Sequence, residues 1–256
     1  MKKAFFHLFI STASILIGLL FAHFALRLVS LSQPIAKANQ THWWENRFVI
    51  AQTESMKTLT SERLESLKLL FQKFKGDQQG AIYLNLGPEN YNELLEKLPT
   101  LFLENPEIKF IVNFRNYKMD VDRKIIQVIE SKLKPDIFER IIIDSSYDNV
   151  IKELRKAKSD WPLAIGRGQA SRMLLLNTLG LESVPPVVGD VYILDFLTEG
   201  DEVSPRLVKE LHRRNIEVFV APDETELQWS TLIQENVDGI ITRDAEKLFQ
   251  WLTSNR

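Results

Sequence analysis

The chain contains no cysteine. That excludes a disulfide framework, a thiolate nucleophile, a thiolate zinc site and a cysteine for lipid attachment, and it leaves the compartment unreadable from redox chemistry. An excess of one charge is also missing: 32 lysines and arginines stand against 34 acids, a formal net charge of -2. No bulk field favours nucleic acid or an anionic surface, so no nucleic-acid partner is expected. Histidine is scarce. The four are His7, His23, His42 and His212, and none stands at the end of an apolar run where a strand would finish.

What the chain has is a long apolar leader. Lys2 and Lys3 precede an apolar stretch over residues 4–26, which at 1.5 Å per residue is long enough to cross a hydrocarbon core of about 30 Å. The leader, residues 1–30, is expected to be a single membrane anchor or an export signal. The basic N-terminus favours a cytoplasmic start with the rest of the chain extracytoplasmic, a bias softened by Arg27 and Lys37. Ala36-Lys37-Ala38 suits a signal peptidase, which leaves secretion after cleavage near Ala38 as the alternative; the stretch exceeds an ordinary signal core, which favours the anchor. His7 and His23 fall inside it and are given no catalytic role. Residues 31–46 are more polar, carry Pro34 and read as a linker ending in His42-Trp43-Trp44. The two tryptophans suit either a membrane interface or a plug beneath the first strand.

Residues 47–256 alternate short apolar runs with helical patterns. Strands are expected near 47–52, 80–86, 109–115, 139–145, 162–166, 188–195, 216–221 and 238–242. Helical stripes fill the gaps: Leu64, Leu67, Leu70 and Phe71; Ile125, Val128 and Ile129; Leu207, Val208 and Leu211. Runs such as Phe110-Ile111-Val112 and Ile141-Ile142-Ile143 are apolar on both faces, as parallel strands covered by helices must be. Eight such units predict an α/β fold, a (β/α)8 TIM barrel, in one domain. A doubly wound open sheet is the competing fold. Gln52-Thr53-Glu54-Ser55 follows the first strand in place of a Gly-rich phosphate loop, so no nucleotide fingerprint is present.

Several segments, in order, carry a family resemblance. They are Phe48 to Glu54, Gly80 to Leu86, Ile111-Val112-Asn113-Phe114-Arg115, Arg140 to Tyr147, Ser204 to Val208, Ile216 to Val220, and Val237-Asp238-Gly239-Ile240-Ile241-Thr242-Arg243-Asp244. Together they resemble the glycerophosphodiester phosphodiesterase family of phospholipase-C-like barrels. The resemblance implies metal-assisted phosphodiester cleavage, with two histidines as acid and base and carboxylates holding a divalent cation. The family's His-Arg-Gly falls on Gln52, Thr53 and Glu54; its second-strand glutamate and aspartate fall on Tyr83 and Asn85, and its third-strand glutamate on Asn113. Where its other histidine belongs, Leu86-Gly87-Pro88-Glu89 runs directly towards the next helix. Glutamine has no titratable proton near neutral pH, and the replaced carboxylates are neutral here.

The expected function is therefore a membrane-anchored barrel of this type that has lost its catalytic histidines and metal carboxylates and binds an anionic ligand or a partner. The alternatives are an active phosphoric diester hydrolase with a rebuilt site, using Glu54, Asp144 or Asp195, and an envelope scaffold. Candidate site residues at the barrel top are Gln52, Glu54, Tyr83, Asn85, Asn113, Arg115, Asp144, Arg167 and Asp195. Arg115, where the family has a phosphate-contacting lysine, and Arg167 suit a phosphate or carboxylate, unless they pair with Asp144, Asp195 or Glu54. No cofactor is expected; calcium or magnesium enters only with the enzyme reading. The partners considered are the membrane through residues 4–26, a phosphate-containing small molecule and a protein. His212 is expected to be a solvated helix residue, and Asp244 to cap the last helix.

Overall fold

The computed structural model describes residues 47–53, 59–74, 78–87, 91–115, 121–132, 137, 139–182, 185–195, 203–222 and 225–255, together with 15, 17–26 and 28 of the leader. Residues 17–26 are helical and largely exposed. Among the described residues no helix is long and apolar enough to cross a membrane. The rest of the apolar stretch, His42, Trp43, Trp44 and Glu54 lie outside the described residues.

The strands are β1 (Arg47–Thr53), β2 (Gln78–Leu86), β3 (Lys109–Phe114), β4 (Ile141–Ser145), β5 (Val191–Asp195), β6 (Glu217–Ala221) and β7 (Gly239–Thr242). They form one curled sheet in the order β4-β3-β2-β1-β7-β6-β5, every pairing parallel. Helices α1 (Ser61–Phe71), α2 (Tyr91–Glu104), α3 (Val121–Lys132), α4 (Asp148–Ala157), α5 (Arg167–Thr178), α6 (Pro205–Arg213), α7 (Glu226–Gln234) and α8 (Ala245–Ser254) lie between and after them. The architecture is α/β and consistent with a TIM-like barrel.

The expected strand over 162–166 is reduced to two bridges, Leu163 with Ile143 of β4 and Ala164 with Val191 of β5. Pro162 has no N–H, so it only accepts, from Ile143 N at 3.0 Å, and Gly166 already caps α5, which leaves little chain to form a ladder. The segment still ties the two edges of the sheet: Ala164 N donates to Ile143 O at 2.8 Å, and Ile165 N to Val191 O at 2.7 Å. Asp190 holds it from below, its Oδ2 accepting from Leu163 N at 2.9 Å and from Arg155 Nη2 at 2.5 Å.

Alternation along parallel strands sorts the core into two parts. Phe48, Ile50, Ala81, Tyr83, Ile111, Ile142, Ala164, Val191, Phe219 and Ile241 pack together inside the curl. The intervening residues, such as Val49, Ile82, Val112, Ile143 and Val218, meet the helices. The helical stripes read from the sequence face that layer, with Leu67, Leu70, Ile125, Val128, Ile129, Leu207, Val208 and Leu211 all buried. Thr60 caps α1 by accepting from Arg63 N at 3.2 Å, and Asp244 caps α8 by accepting from Lys247 N at 3.0 Å.

Charged groups gather at the N-terminal ends of the strands. His212 is half-buried there and not solvated as expected: its Nε2 lies 2.8 Å from Asp238 Oδ2, which also accepts from Val218 N at 2.7 Å. The helix brings His212 over the β6–β7 connection, a juxtaposition that helical periodicity alone does not reveal. The hydrogen bond to Asp238 holds the imidazole above its usual value, against the opposing effect of burial. Glu217 is 1% exposed and neither carboxyl oxygen has a hydrogen-bond partner. Burial, reinforced by Asp238 and Asp190 and opposed by Lys109, pushes its carboxyl up to about 9.

Two contributions to the pH dependence follow, and both lower stability as pH rises. The elevated Glu217 costs nothing below the unfolded carboxyl value, and the cost grows as pH rises towards 9. Denaturant titrations of Glu217→Gln are therefore expected to gain about 1–3 kcal/mol over wild type on going from pH 5 to pH 8. His212 contributes stability that is complete below its unfolded value near 6.5 and is lost as pH rises through its higher folded value. His212→Gln should remove a component of at most about 1 kcal/mol between pH 6 and pH 8, measured the same way.

Candidate functional site

The C-terminal ends of parallel strands carry unpaired backbone and the first residues of the following helices, which is where a barrel presents chemistry. A cavity of about 440 Å³ opens there, and the residues lining it include Tyr83, Asn113, Arg115, Asp144, Ser145, Ser146, Tyr147, Arg167, Ser171 and Ile193.

Its floor is a chain of polar side chains from successive strands. Register pairs Asn85 with Asn113 and Asn113 with Asp144, so β2, β3 and β4 each place one polar group at the same height. Tyr83 Oη donates to Asp144 Oδ2 at 2.7 Å and accepts from Asn113 Nδ2 at 2.8 Å. Asn113 Nδ2 also donates to Asn85 Oδ1 at 3.2 Å, and Asn85 Nδ2 to Thr53 O at 3.1 Å. These side chains are between 3% and 8% exposed, so the network is fixed by the absence of water as a competing partner. One acceptor is left over: Asn113 Oδ1 is buried without a partner.

Arg115 and Arg167 line the same cavity and are both exposed. The expected pairing with Asp144 does not form, and the ion pairs among the described residues involve neither arginine. The physical reason is that Asp144 is turned into the floor, where the Tyr83 hydroxyl satisfies it. Gln52 lies beside Tyr83 in register, half-buried, and its carbonyl accepts from Arg63 Nη2 at 3.4 Å. Asp195 ends β5 opposite Ala221; its side chain and Glu54 lie outside the described residues.

Gly166-Arg167-Gly168 serves close packing. Asp148, at the start of α4, caps α5 from outside, its Oδ1 accepting from Gly168 N at 2.8 Å and Gln169 N at 3.4 Å. The amides that open α5 are thus already satisfied by a carboxylate, and Arg172 Nη2 reaches the same group at 3.2 Å. A Cβ on Gly166 would stand 2.5 Å from Asp148 Oδ1 and 2.9 Å from its Cα.

The residues that sequence reasoning missed are Ser146, Tyr147, Ser171 and Ile193. Ser145-Ser146-Tyr147 carried a signal as a hydroxyl-rich strand end. Ser171 and Ile193 carried none, since their place depends on the rotational phase of α5 and on which residues of β5 turn inward. Among the described residues no three histidine or acidic side chains converge in a way that would hold a metal ion.

No protein-family model matches the chain, and no curated protein sequence matches it. Solved structures do. A glycerophosphodiester phosphodiesterase from Parabacteroides distasonis ATCC 8503 superposes with a TM-score of 0.58 at 15% identity, over 82% of this chain and 98% of its own. Another, from Agrobacterium tumefaciens str. C58, gives 0.53 at 7% identity, over 81% and 99%. A mandelate racemase/muconate lactonizing enzyme from Roseiflexus sp. gives 0.50 at 10% identity, over 78% and 55%. The fold is that of the glycerophosphodiester phosphodiesterases, and at such identities fold is all the likeness establishes.

One consequence of the packing is directly measurable. Gly166→Ala forces a methyl against the Asp148 backbone and is expected to cost about 1–3 kcal/mol in chemical denaturation. Gly168→Ala meets only the side-chain carboxyl group of Asp148, at 2.8 Å, and no backbone atom, and should cost less.

Proposed function

We propose that the chain is a membrane-tethered, extracytoplasmic (β/α)8 barrel of the glycerophosphodiesterase type that binds a small phosphate- or carboxylate-bearing molecule without hydrolysing it. In this reading residues 1–30 anchor, 31–46 link and 47–256 form the binding domain. The observation that carries the proposal is the composition of the cavity. Its described wall holds one carboxylate, Asp144, already bonded to Tyr83, beneath two arginines that have no ion pair among the described residues.

The fold family implies a divalent cation, and these residues do not fit one. A hard cation draws on six or more oxygens with several negative charges. Here Asn85 Oδ1 is taken by Asn113, and one oxygen of Asp144 is taken by Tyr83. Asn113 Oδ1 is neutral and lone. That oxygen suits a ligand hydroxyl, while the arginine forks suit its anionic group. Proton transfer at the scissile oxygens has no histidine to serve it, because no histidine lines the described cavity.

The test uses the full chain in detergent. Glycerophosphodiester turnover with calcium or magnesium is expected to equal the chelator control. Glycerol phosphate, followed by calorimetry, is expected to bind, and Arg115→Ala to weaken it about 10- to 100-fold through loss of charged hydrogen bonds. Metal-dependent turnover abolished by Asp144→Asn would establish a rebuilt phosphoric diester hydrolase instead, and neither turnover nor binding would leave a scaffold.

A further inference from the structure

A second cavity, of about 330 Å³, opens at the N-terminal ends of the strands, between the C-terminal halves of α7 and α8 and the starts of β1 and β7. Ile233, Val237, Ile240, Leu248, Trp251 and Leu252 give it apolar walls, Phe48 and Val49 of β1 close one side, and Gly239 adds backbone alone. Asp238 is the one charged side chain among its described lining residues. Its Oδ2 is taken by His212 and by Val218 N, while Oδ1 has no hydrogen-bond partner among the described residues. Two helices also end here, Gln234 closing α7 and Asn255 following α8. Unlike α1, α4 and α6, neither carries a basic residue in its last turn. The partial negative charges of both helix ends therefore add to that of the carboxylate. Lys109 and Lys247 lie over the Phe48 and Trp229 rings, at 4.9 and 5.6 Å, and neither lines the cavity.

We propose that this cavity binds a small amphipathic amine, an aryl or alkyl body carrying a primary ammonium group. Charge complementarity selects the ammonium. An anion would meet a carboxylate and two negative helix ends, and a wholly apolar ligand would cover Oδ1 of Asp238 without giving it a partner, at a desolvation cost. An ammonium instead donates to Oδ1 in a charge-assisted hydrogen bond, and the amide oxygens of Gln234 and Asn255 are acceptors for its remaining protons. Trp251 supplies an aromatic wall that accommodates an aryl ring or a cation equally well. Volume sets the size of the body: about 330 Å³ is the liquid volume of about eleven waters, which limits the ligand to about ten non-hydrogen atoms. The site shares no residue with the arginine-rimmed cavity and takes the opposite charge, so the assignment does not rest on the function proposed there.

The probe is phenethylammonium, titrated by calorimetry into the full chain in detergent against a detergent blank. Saturable binding with a Kd of about 0.1–1 mM is expected, the range open to a ligand of that size. Phenethyl alcohol and hydrocinnamate, the neutral and anionic counterparts, should bind at least about tenfold more weakly, and Asp238→Asn should weaken the ammonium by about 10- to 100-fold. Because Asp238 also holds His212 and Val218 N, a second pair of variants leaves it in place. Gln234 is exposed at the end of α7; Gln234→Glu should tighten the ammonium about threefold and Gln234→Lys weaken it about threefold. Glycerol phosphate can be titrated into the same variants, and whatever it does at the arginine-rimmed cavity is scored separately. Equal binding of the three probes, binding indifferent to the charge at residue 234, or no saturable binding overturns the assignment. A dimer in sedimentation that excludes the probe overturns it too and gives the cavity to a second copy.

Discussion

The tie made by Leu163 and Ala164 is the constraint on which the rest of the molecule depends. A parallel sheet that curls without meeting itself leaves two edges of unpaired N–H and C=O groups and presents its inner face to water. Here β4 and β5 are those edges, and a segment of only a few residues satisfies both. It does so because Asp190 is fixed by Arg155 and in turn fixes Leu163 N. The cavity at the strand C-termini straddles this junction, with Tyr83, Asn113 and Asp144 from one side, Ile193 and Leu194 from the other, and Ile165 and Arg167 between.

The two ends of the barrel store polarity in different ways. At the strand C-termini the buried groups are mutually bonded, from Asn85 through Asn113 and Tyr83 to Asp144, and the cations stand outside in water. At the N-termini a carboxyl, Glu217, is buried without a hydrogen-bond partner and kept neutral by desolvation. The first arrangement is a pre-formed surface with a net positive rim. The second is a cost in stability that grows with pH.

Much of the fold was legible in the residues. The strands β1, β2, β3, β4, β6 and β7 fall within about two residues of where apolar runs bounded by turn residues place them, because parallel strands buried on both faces must be continuously apolar. The segment near 162–166 was harder: its apolar residues were visible, but whether they form a ladder depends on Pro162 and on how soon Gly166 starts α5. At the site, Tyr83, Asn113, Arg115, Asp144 and Arg167 line one cavity, and Gln52 and Asn85 are not among its described lining residues. The engagement of Asp144 by Tyr83, which leaves the arginines without it, was not readable, since it depends on the stagger between strands.

The sequence by itself determined the alternation of strands and helices, which helix faces are buried, and the scarcity of histidine, because these depend on local periodicity and composition. Tertiary structure alone decided which polar groups meet. His212 finds Asp238, Asp148 finds the amides of α5, and Tyr83 finds Asp144, across 26, 20 and 61 residues of chain. Such pairings are fixed by strand register and helix phase, where a shift of one residue turns a side chain to the opposite face.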